Sequence, residues 1–327
     1  MSAPDLYGLI AYNFGIKRVA LRLHELLEGN SIYGLLYEKH IASVMKEYAV
    51  KPRDVRIEVT NACNAKCVFC YHRYMKRKLG YMNWNLYKKV IDECVELGVG
   101  HLSLHNFGEP LLDPLFLSRV VYAKLRNIER VSTNTNGLLL HKDLAGRLIG
   151  AGLDIITISI DAATKATFER IKELDYETVE RNVKSLVKLK NERGVKTPTV
   201  IVSFIECEEN KVERKQFVKK WKNIADRILV SSSHNWGGRI GLTTTIRKAI
   251  PCRLLWTDFV VDWNGNVPLC CADVEEQIVL GNVKESSVRQ IRAGEILKDI
   301  RKIHLEGKLD DIETCKSCNV SNIWWLF

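Results

Sequence analysis

From Val55 onward, short apolar runs alternate with longer amphipathic stretches. The runs at 55–60, 101–106, 130–136, 154–161, 197–206 and 227–233 have the length of buried strands. Between them apolar residues recur at helical spacing: Val179, Val183, Leu186 and Val187 fall at i, i+4, i+7 and i+8 and lay a stripe along one helix face. Strands and helices alternating in this way predict βα units around a parallel sheet, here an α/β partial barrel of six units. Residues 1–50 read as a helical extension, with Leu21, Leu23, Leu26 and Leu27 around Glu25 and Glu28, and Gly29-Asn30 as a stop signal. Past residue 233 the rhythm breaks. Apolar runs at 259–263 and 267–269 flank Asn264-Gly265, which predicts a β-hairpin, and 288–305 predicts a helix. The expected organisation is an extension over 1–50, a barrel over 51–233 and a smaller α+β domain over 234–327.

A chain of 327 residues, 46% apolar, can bury a sizeable core. No stretch reaches about 18 uninterrupted apolar residues, and no basic segment precedes an apolar signal core, so a cytoplasmic protein without a membrane span is expected. An amphipathic anchor in the extension is disfavoured by its balanced charge, five residues of each sign in 1–50. The net charge of +10 concentrates in 51–251, which carries +13 and favours an anionic substrate or an acidic partner.

Ten cysteines in a reducing compartment point to metal ligation rather than disulfides. Cys94 and Cys207 stand alone and read as packing residues. Cys63, Cys67 and Cys70 follow the first strand, where βα barrels place chemistry. Three thiolates can hold three irons of a cubane and leave the fourth open, whereas a structural zinc closes with four ligands and no fourth lies nearby.

The pattern Cys-x3-Cys-x-aromatic-Cys, with Phe69 as the aromatic, resembles the signature of the radical S-adenosylmethionine (SAM) superfamily. That resemblance implies a [4Fe-4S] cluster whose open iron is chelated by SAM, and reductive cleavage of SAM to a 5′-deoxyadenosyl radical. Later strand ends are similar to the family's SAM-binding motifs. Gly108-Glu109-Pro110 resembles the stretch that receives the methionine ammonium, with Phe107 in place of its first glycine. Asn136-Gly137 looks like the turn near SAM, and Ser159 and Asp161 resemble a Ser-x-Asp pattern at the methionyl end. Taken as local structure alone, Asn136-Gly137 is a turn and Ser159 and Asp161 are a helix N-cap and its neighbour. The fifth strand lacks the glycines that would mark adenine contacts.

In the tail, Cys252, Gly265, Cys270 and the pair Cys315/Cys318 resemble the SPASM and twitch extensions of the superfamily. The resemblance implies one auxiliary [4Fe-4S] cluster on Cys252, Cys270, Cys315 and Cys318, with Cys271 as a spare. A hairpin with Cys-x2-Cys also describes a zinc ribbon. Trp324, Trp325 and Phe327 read as buried aromatics.

What the family implies is a flavodoxin or ferredoxin reductant and a radical oxidation or other modification at carbon, here of a small polar or anionic substrate. A peptide- or protein-modifying maturase is the alternative. The rival from another class is a non-catalytic, zinc- or iron–sulfur-bearing nucleic-acid binder using the positive middle region, with the basic run 72–78 as its best support.

Overall fold

The computed structural model describes residues 31–240 and 251–319. Seven parallel strands form its main sheet: β1 (Asp54–Ile57), β2 (His101–Ser103), β3 (Arg130–Thr135), β4 (Ile155–Ser159), β5 (Thr199–Glu206), β6 (Arg227–Ser232) and β7 (Asp258–Val261). Their order is β6-β5-β4-β3-β2-β1-β7, so β6 and β7 are the two edges and the barrel is partial. Six of these strands fall on the expected runs.

The helices that cover the sheet begin where the sequence supplies caps. Asn83 caps α2 (Trp84–Glu96), after α1 (Ser31–Glu47), by accepting from the Asn85 and Leu86 amides. No side chain caps α3 (Phe116–Leu125), whereas His141 caps α4 (Lys142–Gly150). Thr164 caps α5 (Lys165–Lys172) and Asp175 caps α6 (Tyr176–Glu192), followed by α7 (Arg214–Trp221). Val179, Val183 and Leu186 of α6 are buried in the main core, as their spacing predicts.

The hairpin expected around Asn264-Gly265 does not form. After a short α8 (Leu254–Thr257), β7 joins the barrel sheet parallel to β1, with Arg56 opposite Val260. Asp262 and Gly265 close a tight turn, and β8 (Asn266–Pro268) pairs instead with β9 (Val279–Asn282), antiparallel. The apolar run at β7 is buried throughout Phe259, Val260 and Val261, and Phe259 and Val261 complete the main core. The helix expected over 288–305 is two helices, α9 (Val288–Arg292) and α10 (Glu295–Leu305), broken at Gly294, and α11 (Glu313–Lys316) carries Cys315.

A second core gathers Leu255, Trp256, Leu269, Leu297, Ile300 and Ile312, with Ile41, Val44 and Met45 of α1 packed against it. The leucines at 21–27 and the aromatics at 324–327 lie outside the described residues. None of the described helices is long and apolar enough to cross a membrane.

Candidate functional site

The loop after β1 carries Cys63, Cys67 and Cys70 and is pinned from two sides. Lys66 and Val68 donate their amides to the carbonyls of Lys172 and Ile171 at the end of α5, at 3.0 and 2.9 Å, and Glu109 donates to Ala62 O at 2.8 Å. Each thiol has one donor: Ala65 N–H to Cys63 Sγ at 3.4 Å, His72 N–H to Cys70 Sγ at 3.5 Å, and Lys172 Nζ 4.0 Å from Cys67 Sγ. Burial pushes the Cys63 thiol up to about 12 and Cys70 to about 11, and raises Cys67 against the pull of Lys172. Thiols this reluctant to ionise lose their protons to a metal, and N–H donors aimed at sulfur suit thiolates in an iron–sulfur cluster.

Gly108 sits at φ +86°, and a Cβ there would meet Ala62 O at 2.6 Å and Thr60 O at 2.7 Å. Only glycine lets the second strand end approach the cysteine loop this closely. Glu109 beside it is 2% exposed and already holds three donors: Leu111 N–H at 3.1 Å and Thr135 Oγ1 at 2.7 Å on Oε1, and Asn136 N–H at 2.7 Å on Oε2. Burial raises its pKa despite these bonds. A carboxylate has about four acceptor positions, so one on Oε2 remains. Asn136 donates from Nδ2 to Asn64 Oδ1 at 2.6 Å and accepts from Leu138 N–H at 3.0 Å, tying a turn to the cysteine loop.

Ser159 ends β4, half-buried. Asp161 is not a helix cap; Thr164 is. Asp161 adopts φ +60°, is fully buried, accepts from Ile205 N–H at 2.7 Å and pairs with Lys172 Nζ at 2.7 Å. Lys172 also lies 5.7 Å from the centre of the Phe69 ring. Burial would lower its pKa, but Asp161 and the thiols of Cys67 and Cys63 overrule that and keep it raised. Lys172 escapes the sequence reading because a lysine in the last turn of a helix ordinarily reads as solvated.

In the tail the thiols of Cys252, Cys270, Cys315 and Cys318 lie in one another's field. Burial first, then each other's charge, raises Cys252, Cys270 and Cys315. Among the described residues no three Cys, His, Asp or Glu side chains converge tightly enough for a single ion. Cys271 lies in the field of Cys270 and Cys252 as well, and also feels Arg56 and Asp258 on the barrel side. Cys94 is fully buried in the main core, whereas Cys207 is half-buried just past β5 and outside that core.

The two sets of cysteines are bridged by the segment after β6. Trp236 Nε1 donates to Phe69 O at 3.0 Å, and its ring meets Phe107 at 5.0 Å. Asn235 Nδ2 donates to Ser317 O at 2.6 Å, and Asn235 and Asn319 exchange two further bonds. A Cβ on Gly238 would strike Ser317 Cβ at 2.4 Å. The basic run 72–78 is not uniformly solvated. Arg77 within it turns inward and forks onto Glu58 at 2.9 and 3.0 Å while reaching Asp262 and Glu276 at 3.1 Å each.

The family model described as "Radical SAM superfamily" matches residues 57–220, and that described as "Iron-sulfur cluster-binding domain" matches residues 252–319. Among curated proteins, the chain is 34% identical over 176 residues to a probable GTP 3′,8-cyclase of Saccharolobus solfataricus, covering 52% of this chain and 53% of that protein. It is 25% identical over 179 residues to a tungsten-containing aldehyde ferredoxin oxidoreductase cofactor-modifying protein of Pyrococcus furiosus, covering 54% and 50%. The chain thus spans about half the length of these relatives. Among solved structures, BtrN in complex with AdoMet and 2-DOIA superposes with a TM-score of 0.54 at 22% identity, covering 82% of this chain and 93% of that one. Streptococcus suis SuiB bound to its precursor peptide SuiA superposes with a TM-score of 0.67 at 14% identity, covering 88% and 74%. These superpositions establish the fold.

Proposed function

The chain belongs to the radical SAM superfamily, with its iron–sulfur and SAM cofactors and a C-terminal iron–sulfur domain, and on that premise we propose that it is an enzyme abstracting hydrogen from a small polar or anionic substrate held inside the barrel. The observation that supports this reading most is the inner face of the sheet. Along each strand, alternate residues such as Val55, Ile57, Leu102, Val131, Ile156, Val200 and Val202 are buried beneath the helices. The residues between them face the interior, and they include Arg56, His105, Asn134, Thr157, Ser159 and Ser203. An ordinary βα barrel fills this space with branched apolar side chains. Here Asn134 is exposed although β3 is flanked by β2 and β4 and covered outside by helices, so the interior is open to solvent.

Cys63, Cys67 and Cys70 would hold the SAM-binding cluster, and Cys252, Cys270, Cys315 and Cys318 the auxiliary one. When bound, the cluster supplies an electron and SAM supplies the hydrogen-abstracting oxidant. The open acceptor position on Glu109 would receive the SAM ammonium, in a cradle that Gly108, Asn136 and Ser159 shape. Asp161 holds Lys172 over Phe69 and Cys67, where its charge offsets that of the thiolates. Trp236 and Phe107 roof the cysteine loop and exclude water. The reductant would be a cytoplasmic flavodoxin or ferredoxin. The test is to incubate the anaerobically reconstituted protein with SAM and dithionite. Release of 5′-deoxyadenosine is expected, and its absence in protein loaded with iron and SAM would refute the reading.

A further inference from the structure

Two inward-facing side chains are not accounted for by either cysteine set. Arg56 lies mid-strand on β1 between Val55 and Ile57, both fully buried on the outer side. His105 lies just past β2, in phase with His101 and Ser103 and out of phase with the buried Leu102 and Leu104. Arg56 Nη1 is 3.2 Å from His105 Nε2. A guanidinium only donates, so Nε2 accepts and the ring proton sits on Nδ1, directed away from Arg56. That leaves His105 Nδ1–H and Arg56 Nε–H, both buried and both without a hydrogen-bond partner in the structure. Among the described residues Arg56 makes no ion pair within contact distance. Asp258 on the next strand feels its charge, and burial, against that pull, raises the Asp258 carboxyl.

A buried donor without an acceptor costs on the order of 1–3 kcal/mol. Two such donors on adjoining inward-facing side chains are satisfied when a group with oxygen lone pairs reaches them. We propose that Arg56 and His105 form an oxyanion subsite on the barrel wall, which takes a carboxylate or phosphate group of the substrate. This deepens the reading of a substrate held inside the barrel and rests on it.

The test uses the full chain, anaerobically reconstituted and saturated with SAM so that the cofactor cradle is filled. Thermal unfolding is followed in 20 mM inorganic phosphate, in about 20 mM acetate, and in chloride of matched ionic strength. At an anion concentration well above a millimolar Kd, an increase in Tm of about 2–4 °C over chloride is expected. Phosphate alone raising Tm assigns a phosphate group, acetate alone a carboxylate, and both a general oxyanion site. In Arg56→Gln the anion Kd should rise at least tenfold, since a charge-assisted bond is lost, while Arg56→Lys keeps the charge and should retain part of the shift. With no ligand present, Arg56→Gln should unfold no earlier than the unaltered chain, because the charge it removes makes no ion pair at contact distance among the described residues.

No anion-specific shift in the unaltered protein, an equal shift in Arg56→Gln, or a large fall in the anion-free Tm of that variant would each overturn the subsite. The last result would mean that the guanidinium already has its partners. Formation of 5′-deoxyadenosine is read separately on the unaltered protein. Its failure refutes the enzyme reading, whereas a missing anion shift with SAM cleavage intact refutes the subsite alone.

Discussion

Replacing Lys172 by methionine keeps the length of the side chain and removes its charge from the centre of the site. Asp161, fully buried, would lose the ammonium 2.7 Å away and keep only the Ile205 N–H. Stranding one partner of a buried pair costs about 3–5 kcal/mol. The double variant Lys172→Met/Asp161→Asn should recover most of that loss, because asparagine is neutral and tolerates the φ of +60° at position 161. Urea unfolding of the four proteins in the cycle should therefore give a coupling of about 2–3 kcal/mol. A second consequence survives the rescue. The ammonium lies 4.0 Å from Cys67 Sγ, worth about 4 kcal/mol at an effective dielectric of 20, or on the order of 100 mV once the charge is spread over a cluster. Both variants should hold a cluster on Cys63, Cys67 and Cys70 that is harder to reduce, as read by an EPR-monitored redox titration. Coupling below about 1 kcal/mol would show that Asp161 does not depend on Lys172. A potential within about 20 mV of the unaltered protein would show that the ammonium does not act on the cluster.

Iron analysis after anaerobic reconstitution should find on the order of eight irons per chain, and stoichiometric zinc with four irons would reject the auxiliary cluster. Glu109→Gln should weaken SAM binding about 10- to 150-fold and also lower stability, since the amide NH2 must face one of the donors from Leu111, Thr135 or Asn136; unchanged SAM affinity would remove Glu109 from the cradle. Cys63→Ala should abolish 5′-deoxyadenosine formation, whereas Cys315→Ala should spare it and stop substrate turnover; a soluble Cys315→Ala protein that turns over normally would make the tail cluster dispensable. Burial pushes His234 and His304 down to about 4, below the unfolded value near 6.5. Both are therefore neutral when folded, so their contribution is complete above pH 6.5 and is lost as pH falls toward 4, by up to about 1–3 kcal/mol each. Unfolding free energies that stay flat from pH 7 to 4.5 would contradict their burial.

The strands and the two sets of cysteines are legible in the sequence because period, run length and thiol spacing are local. What is not legible depends on partners far along the chain. The run at 259–263 has strand character, and the nearest apolar run made a hairpin the economical expectation. Its actual partner, β1, lies some two hundred residues upstream, and nothing local distinguishes an antiparallel neighbour from a parallel one that distant. Lys172 and Arg77 fail for a related reason: each looks like a solvated cation until the acids that draw it inward are assembled. One signal was available. Asp54, Arg56 and Glu58 alternate with Val55, Ile57 and Val59, and a strand that is polar on its inner side lines a cavity rather than a packed barrel.

That polar inner face also explains where the fold keeps its clamps. A barrel packed with apolar side chains holds its own curvature from within. This one has an open interior and two unjoined edges, β6 and β7, so the curvature must be fixed at the mouth. On the β7 side Arg77 gathers Glu58 from the end of β1, Asp262 from the end of β7 and Glu276 from the tail, with Nε donating to Val274 O at 2.6 Å. One cation faces three acids. Burial, opposed by Arg77, pushes Glu58 and Asp262 upward, and Asp262 is pushed furthest because Glu58 and Glu276 add their repulsion. Opening the cluster would take the guanidinium from three acids at once. On the β6 side the segment through Asn235 and Trp236 reaches back to Phe69 O and Ser317 O. Both clamps run through the loops that carry the cysteines. The same contacts that hold the two edges of the sheet thus also tie the loop of Cys63, Cys67 and Cys70 to the segment of Cys315 and Cys318.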